Sequence, residues 1–171
     1  MSDHWYALQV RPRFEKHVQA HLEDKGYEVF YPTYTATRQW SDRVKSLSLP
    51  LFPGYVFSRF DVHARLPILI TPGVNQVVGA GKTPITVDES ELSAIRRVIE
   101  SGVAAQPWPF LKVGETIRIE TGPMEGLTGI VTRIKSAYRL VVSVSLLMRS
   151  VAVELDSQWI QPVHAFKRTA E

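Results

Sequence analysis

Three groups of residues in this chain have types and spacing that invite a chemical reading. Gly81-Lys82-Thr83 resembles the end of a phosphate-binding loop, in which backbone N–H groups cradle phosphates and a lysine neutralises them. Such a loop needs a glycine five residues before Gly81, where Gln76 stands, and a helix directly afterwards, where Pro84 stands, so the segment reads as a turn. His17 and His21 lie one helical turn apart, a spacing that can bring two imidazoles to one metal ion. No third ligand follows from the spacing, so the expectation is no metal and two solvent-facing helix residues. The third group is Leu51-Phe52-Pro53-Gly54-Tyr55-Val56-Phe57, a concentration of aromatics around a proline and a glycine. In a strand Tyr55 and Phe57 share a face. They either fill a core or line an apolar depression open to a partner's helix, since buried aromatics dominate both cores and binding hot spots.

Nothing else in the chain points to bond-making chemistry. There is no cysteine among the 171 residues, which removes disulfides, thiolate metal sites and a cysteine nucleophile. Serines and carboxylates are scattered without a nucleophile elbow or an assignable acid–base pair. The expectation is a protein that is not an enzyme and needs no cofactor. With 44% hydrophobic and 22% charged residues the composition is that of a globular chain, and the net charge of +3 tolerates nucleic acid without demanding it. No stretch approaches the length of a membrane span and Met1 to Val10 lacks the layout of a signal peptide, so a cytoplasmic protein without membrane contact is expected.

The elements that must position these residues fall into two patterns. In the N-terminal half, Trp5 to Val10 reads as a strand. Phe14, Val18 and Leu22 recur at helical spacing before Gly26, and Val29 to Tyr31 is a second strand. Thr35 to Pro50 reads as a long loop or protruding hairpin, and Leu51 to Phe60 as a strand that Pro53 and Gly54 push to an edge or a bulge. A short helix is expected near Leu66 to Ile70, a ribbon around Gly79-Ala80-Gly81, and a helix after Asp88 burying Leu92, Ile95 and Ile99. This order implies an α+β domain with a mainly antiparallel sheet. Beyond a connector at Val103 to Pro109, alternating runs such as Leu140, Val142, Val144 and Val151, Val153, Leu155 predict about five short strands closing into a small barrel. The expected organisation is a first domain over 1–104, a linker over 105–109, a second domain over 110–163 and a flexible tail over 164–171. In the second domain, Gly122-Pro123-Met124-Glu125-Gly126-Leu127-Thr128-Gly129 serves barrel architecture or presents Met124 as an apolar contact at a turn tip.

Taken together, Trp5-Tyr6, the helix after it, Pro50 to Phe57, Thr71-Pro72-Gly73-Val74, Gly114-Glu115 and Gly122 to Gly129 resemble the NusG family of transcription elongation factors over nearly the whole chain. The resemblance implies an NGN domain followed by a KOW domain, a five-stranded SH3-like barrel. It implies binding to the clamp helices of the largest catalytic subunit of RNA polymerase through Phe52, Tyr55, Phe57 and Tyr6. Ala64, Arg65, Leu66 and Pro67 fall where relatives meet the gate loop. Arg11, Arg13, His21 and Lys25 match positions that meet non-template DNA, or else form a solvated helix face. In the KOW domain, Met124, Leu146, Leu147, Met148 and Arg149 match loop tips that bind a ribosomal small-subunit protein or termination factor Rho. Met124 and Leu147 replace rings common in the family.

The short connector and Trp40-Ser41-Asp42-Arg43-Val44-Lys45 resemble a specialised paralogue that suppresses pausing or termination on particular operons. The alternative class is a ribosome-associated or RNA-binding KOW protein, with salt-sensitive RNA affinity as its signature. The β-branched Val141, Val142, Val144, Val151 and Val153 favour a barrel over the helical hairpin that one family member adopts.

Overall fold

The computed structural model describes residues 2–111, 114–134, 137–156 and 158–159. The chain divides into two compact units, Met1–Leu92 and Ser93–Glu171.

In the first unit, β1 (His4–Val10) is buried at every position from Trp5 to Leu8, so it must lie inside a sheet with both faces covered. α1 (Glu15–Asp24) buries Val18 and Leu22, and the chain turns out of it at Gly26, whose φ of +90° suits glycine. β2 (Glu28–Phe30) follows. Then β3 (Thr33–Trp40) and β4 (Arg43–Pro50) pair as a ribbon of their own, closed by Ser41 and Asp42. β5 (Tyr55–Phe60), a 3-10 turn at Val62–Ala64, α2 (Leu66–Leu69) and β6 (Val74–Val77) complete the main elements. A minimal hairpin of β7 (Gly79–Ala80) and β8 (Thr83–Pro84) carries Gly81-Lys82 at its turn, and α3 (Glu89–Glu100) begins behind Asp88, whose carboxylate accepts the Ser90 N–H at 2.9 Å.

The sheet runs β2-β5-β1-β6 with every pair antiparallel. Two expectations change here. β5 is central rather than at an edge, because it starts only at Tyr55. Pro53 and Gly54 sit in the preceding turn, where neither disturbs a ladder hydrogen bond. In α3 Val98, not Ile99, completes the buried stripe: Leu92 and Val98 flank Ile95 by three residues on each side, and Ile99 is 37% exposed. One face of the sheet packs Tyr6, Leu8, Val10, Val56 and Phe60 against Val18 and Leu22 of α1 and Ile68 of α2. By strand alternation Trp5, Ala7 and Phe57 face the other way.

In the second unit, β9 (Ala105–Trp108), β10 (Glu115–Arg118), β11 (Thr128–Ile134), β12 (Ala137–Val144) and β13 (Arg149–Leu155) form one antiparallel sheet in the order β10-β11-β12-β13-β9. Leu140 opposes Val153 and Val142 opposes Val151, all buried, which is what β-branched alternation demands. The linker expected over 105–109 is corrected: its residues up to Trp108 are β9, paired with β13 from Ser150↔Trp108 to Val153↔Ala105. Pro107 would argue against a central strand, where every N–H is owed to a neighbour, but β9 is an edge. The division between units falls within α3 rather than after residue 104. The end of the expected second domain, 160–163, and the tail expected over 164–171 lie outside the described residues.

Candidate binding surfaces

The aromatic block is built differently from the contact surface expected of it. Phe52 is 1% exposed and Phe57 0%, and their rings meet edge to face with centroids 5.6 Å apart. Phe30, opposite Phe57 in the ladder, adds its ring at 6.1 Å. Tyr6 is buried on the opposite face against Phe60, 4.8 Å between centroids. Burial pushes its phenol pKa up, the nearby Asp61 adds to this and Arg65 opposes it. Phe57 and Tyr6 are therefore core residues here, because β5 and β1 are central strands whose side chains are covered on both faces, and Phe52 joins the core from the turn before β5 by packing on the Phe57 ring. Tyr55 alone of the four is half-buried.

The turn Leu51–Gly54 is held from α1. Glu15 is buried, and its carboxylate accepts the Gly54 N–H at 3.0 Å, while the Val10 N–H bonds the Gly54 carbonyl at 2.8 Å. Beside this anchor lies an open groove of about 490 Å³ lined by Pro12, Arg13, Glu15, Lys16, Tyr31, Ser48, Pro50, Pro53 and Gly54. Burial, then the negative charge of Glu15, raises the pKa of the Tyr31 phenol. Arg13 enters α1 with φ +70°, a left-handed conformation uncommon for a residue with a Cβ.

At the other end of α1 the sequence reading is revised again. The Lys25 ammonium donates to the Pro67 carbonyl at 2.8 Å and to the Thr71 hydroxyl at 2.9 Å, tying down the end of α2. The ammonium is thus held by two intramolecular bonds while the residue stays exposed. The Arg65 guanidinium donates to the Val62 carbonyl at 2.8 Å and is half-buried, while Ala64, Leu66 and Pro67 are exposed. With Ile68 turned into the core, α2 presents Leu66, Leu69 and Ile70 outward at 66%, 38% and 65% exposure. Apolar residues at i, i+3 and i+4 facing solvent form the kind of patch that marks an interaction surface.

Arg11, Arg13 and His21 are exposed, as a nucleic-acid contact requires. Arg11 stands over the Phe14 ring, 4.7 Å to its centroid, and Phe14 lies 5.8 Å from the His17 ring. These side chains form a row of one cation and two rings along the start of α1, the ring planes tilted by 54°. Among the described residues no three His, Asp or Glu side chains gather as a metal site, and no helix is long and apolar enough to cross a membrane.

In the second unit Met124 is fully buried, which corrects its expected place at a turn tip. The Gly126 N–H bonds the Ile119 carbonyl at 2.8 Å and the Leu127 N–H bonds the Met124 carbonyl at 3.0 Å. These bonds fold the turn back on the strand and draw the side chain inward. Leu147 is buried as well, and Leu146 is half-buried. Met148 is the outward residue, 67% exposed with φ +49°, followed by exposed Arg149. A large apolar side chain displayed on left-handed backbone costs roughly 1–2 kcal/mol that a glycine would not.

Glu15, Phe14, Tyr31, Leu69 and Ile70 did not emerge from the sequence as site residues, and His17 emerged only as a candidate metal ligand. Phe14 was visible only as a helix-spacing residue, and an acid in a first turn is an ordinary helix feature. Only Leu66-Pro67-Ile68-Leu69-Ile70, with more apolar residues than one short helix can bury, carried a usable signal.

Comparison with known proteins agrees with this architecture. The family model described as NusG, transcription termination factor nusG, matches residues 3–96. The transcription termination/antitermination protein NusG of Deinococcus radiodurans is 30% identical, the alignment covering 91% of this chain and 97% of that protein. The protein of the same name from Pseudomonas aeruginosa is 28% identical over 95% of this chain and its own full length. A solved structure of Thermotoga maritima NusG shares the fold with a TM-score of 0.53 at 23% identity, covering 93% of this chain and 96% of that one. An α+β unit ahead of a five-stranded antiparallel sheet, matched over 91–95% of the chain by proteins of one kind, places this chain in the NusG family.

Proposed function

We propose that this protein is a bacterial transcription elongation and antitermination factor that binds RNA polymerase through its first unit, suppresses pausing or termination, and recruits a second partner through its second unit. Membership of the NusG family carries this reading. The factor makes and breaks no bond. It acts by binding one polymerase state more tightly than another and so shifting their populations.

The surfaces described above supply a division of labour. Tyr55, at the lip of the turn Leu51–Gly54, meets the clamp helices. The stripe Leu66, Leu69 and Ile70, with Ala64 and Pro67, meets the gate loop across the cleft, where apolar area suits a protein contact. Arg11 and His21, with the Phe14 and His17 rings between them, stack on exposed non-template DNA. Met148, with Leu146 and Arg149, is the tip by which the second unit takes a ribosomal small-subunit protein or Rho. The chain acts in the cytoplasm, where the polymerase is.

The test is binding of the full chain to a reconstituted bacterial elongation complex, followed by a pause-escape assay. Leu66→Ser with Ile70→Ser and, separately, Tyr55→Ala are expected to weaken binding and lengthen pauses. Met148→Gly is expected to leave polymerase binding intact and weaken capture of the second partner. If the chain ignores polymerase that a general NusG binds, and instead takes up RNA with a steep salt dependence, the reading is wrong and the RNA-binding alternative stands.

A further inference from the structure

We infer that the groove between the start of α1 and the base of the β3–β4 ribbon is a docking site for an acidic protein segment of the polymerase, whose carboxylate is held by Arg13 and Lys16. This rests on the polymerase reading above and deepens it, since Pro53 and Gly54, which line the groove, immediately precede Tyr55 in the chain.

The groove's chemistry selects this occupant. Pro12, Pro50, Pro53 and Tyr31 are among the residues that line it. Proline has no N–H to offer a phosphate, but its ring carbons suit apolar side chains. Arg13 and Lys16 are exposed at the rim, and among the described residues neither makes an ion pair. They therefore present positive charge to an arriving partner. On the floor, Glu15 is buried with one oxygen bound to the Gly54 N–H. Its negative charge is strong enough to be felt by the Tyr31 phenol. A nucleic-acid strand would draw successive phosphates past that carboxylate and be repelled. A protein segment can place one carboxylate at the rim and an apolar side chain between the prolines, which satisfies both ends of the groove. Arg13 thus belongs with Lys16 on a protein contact, apart from the Arg11, Phe14 and His17 row that faces DNA.

The experiment measures binding of the labelled full chain to bacterial core RNA polymerase free of nucleic acid and, in parallel, to a single-stranded DNA oligonucleotide. Arg13→Glu with Lys16→Glu is expected to weaken polymerase binding about tenfold or more and to flatten its salt dependence, as rim charges do, while Arg13→Lys changes little. Arg13→Gly serves as a second variant, because glycine accepts the positive φ and the fold is kept while the cation is lost. It is expected to weaken polymerase binding in the same direction. Single-stranded DNA binding is expected to survive Arg13→Gly and to fall with Phe14→Leu. Polymerase binding unchanged in both charge variants overturns the docking site. Loss of DNA binding with polymerase binding intact overturns it in favour of nucleic acid. Failure of the parent chain itself to bind polymerase, with a general NusG binding normally, removes the polymerase reading and the docking site with it.

Discussion

Removing the Glu15 carboxylate should loosen the turn that carries the aromatic block. Glu15 is 6% exposed, and its bond to the Gly54 N–H at 3.0 Å is the side-chain anchor of Leu51–Gly54 to α1. A hydrogen bond to a charged group contributes about 1.5–3 kcal/mol, and Glu15→Ala also leaves the N–H without its partner. Taking about 2 kcal/mol and a urea slope of about 2 kcal/mol/M, the unfolding midpoint of the first unit should fall by about 1 M. Glu15→Gln keeps an acceptor for Gly54 and should recover at least half of that loss. The two variants also separate charge from packing at Tyr31. Burial is the larger cause of its raised phenol pKa and remains in Glu15→Gln, whereas the contribution of the Glu15 charge disappears. The Tyr31 titration, followed by phenolate absorbance against a Tyr31→Phe reference, should move part of the way back towards its ordinary value. Urea unfolding by circular dichroism tests the first expectation. A midpoint within about 0.2 M of the parent for Glu15→Ala would mean that backbone bonds alone hold the turn.

Other perturbations probe the remaining contacts. Lys25→Met should lower stability by about 1 kcal/mol, since the ammonium is exposed but bonds both Pro67 and Thr71, and should leave single-stranded DNA affinity unchanged; urea unfolding and an oligonucleotide titration read the two. Gly73→Ala should cost about 1–3 kcal/mol: φ is +96°, and the new Cβ would lie 3.0 Å from Val18 and 3.1 Å from Phe14, which thermal unfolding will report. The raised phenols of Tyr6 and Tyr31 predict a loss of stability in alkali. Both are neutral in either state below the ordinary tyrosine value near 10, so their stabilisation is complete there. As pH rises through the raised folded values, the unfolded chain ionises first and stability falls, so Tyr6→Phe should flatten that decline in urea midpoints taken from pH 9 to about 11.

Sequence periodicity revealed most of the fold because most elements are amphipathic and sharply punctuated. Val18 and Leu22 declared α1, Gly26 ended it, and the alternation of Leu140, Val142 and Val144 with Val151 and Val153 declared the paired strands of the second unit. Two of the misreadings of strand position involve proline. Pro53, with Gly54, suggested an edge or a bulge, yet it lies just outside a central strand, and the segment expected as a linker holds Pro107 inside an edge strand. What proline forbids depends on which neighbours a strand has, and those neighbours are remote in sequence. Lys25 could not be assigned to Pro67 and Thr71 for the same reason: the bond closes over more than 40 residues.

The site residues show a different limit of sequence reading. The motifs that carried the family resemblance, Phe52 to Phe57 and Gly122 to Gly129, proved to be mostly architecture. Phe52, Phe57 and Met124 are buried, and Gly122 and Gly126 hold φ near +90° where the chain must double back. Close packing and positive φ accept few residue types, so these positions are distinctive in a sequence. A partner surface is less demanding, because exposed apolar area and a few charges can be supplied by many side chains. Leu66, Leu69, Ile70, Met148, Arg13 and Lys16 are accordingly ordinary in type and conspicuous only in place. A chain can therefore keep the motifs of its family, and with them the fold, while its choice of partner drifts at positions that no motif records. Exchanging the α2 stripe or the Arg13–Lys16 rim should then change what this protein binds at little cost in stability, whereas exchanging Phe52 or Met124 should unfold the unit that carries it.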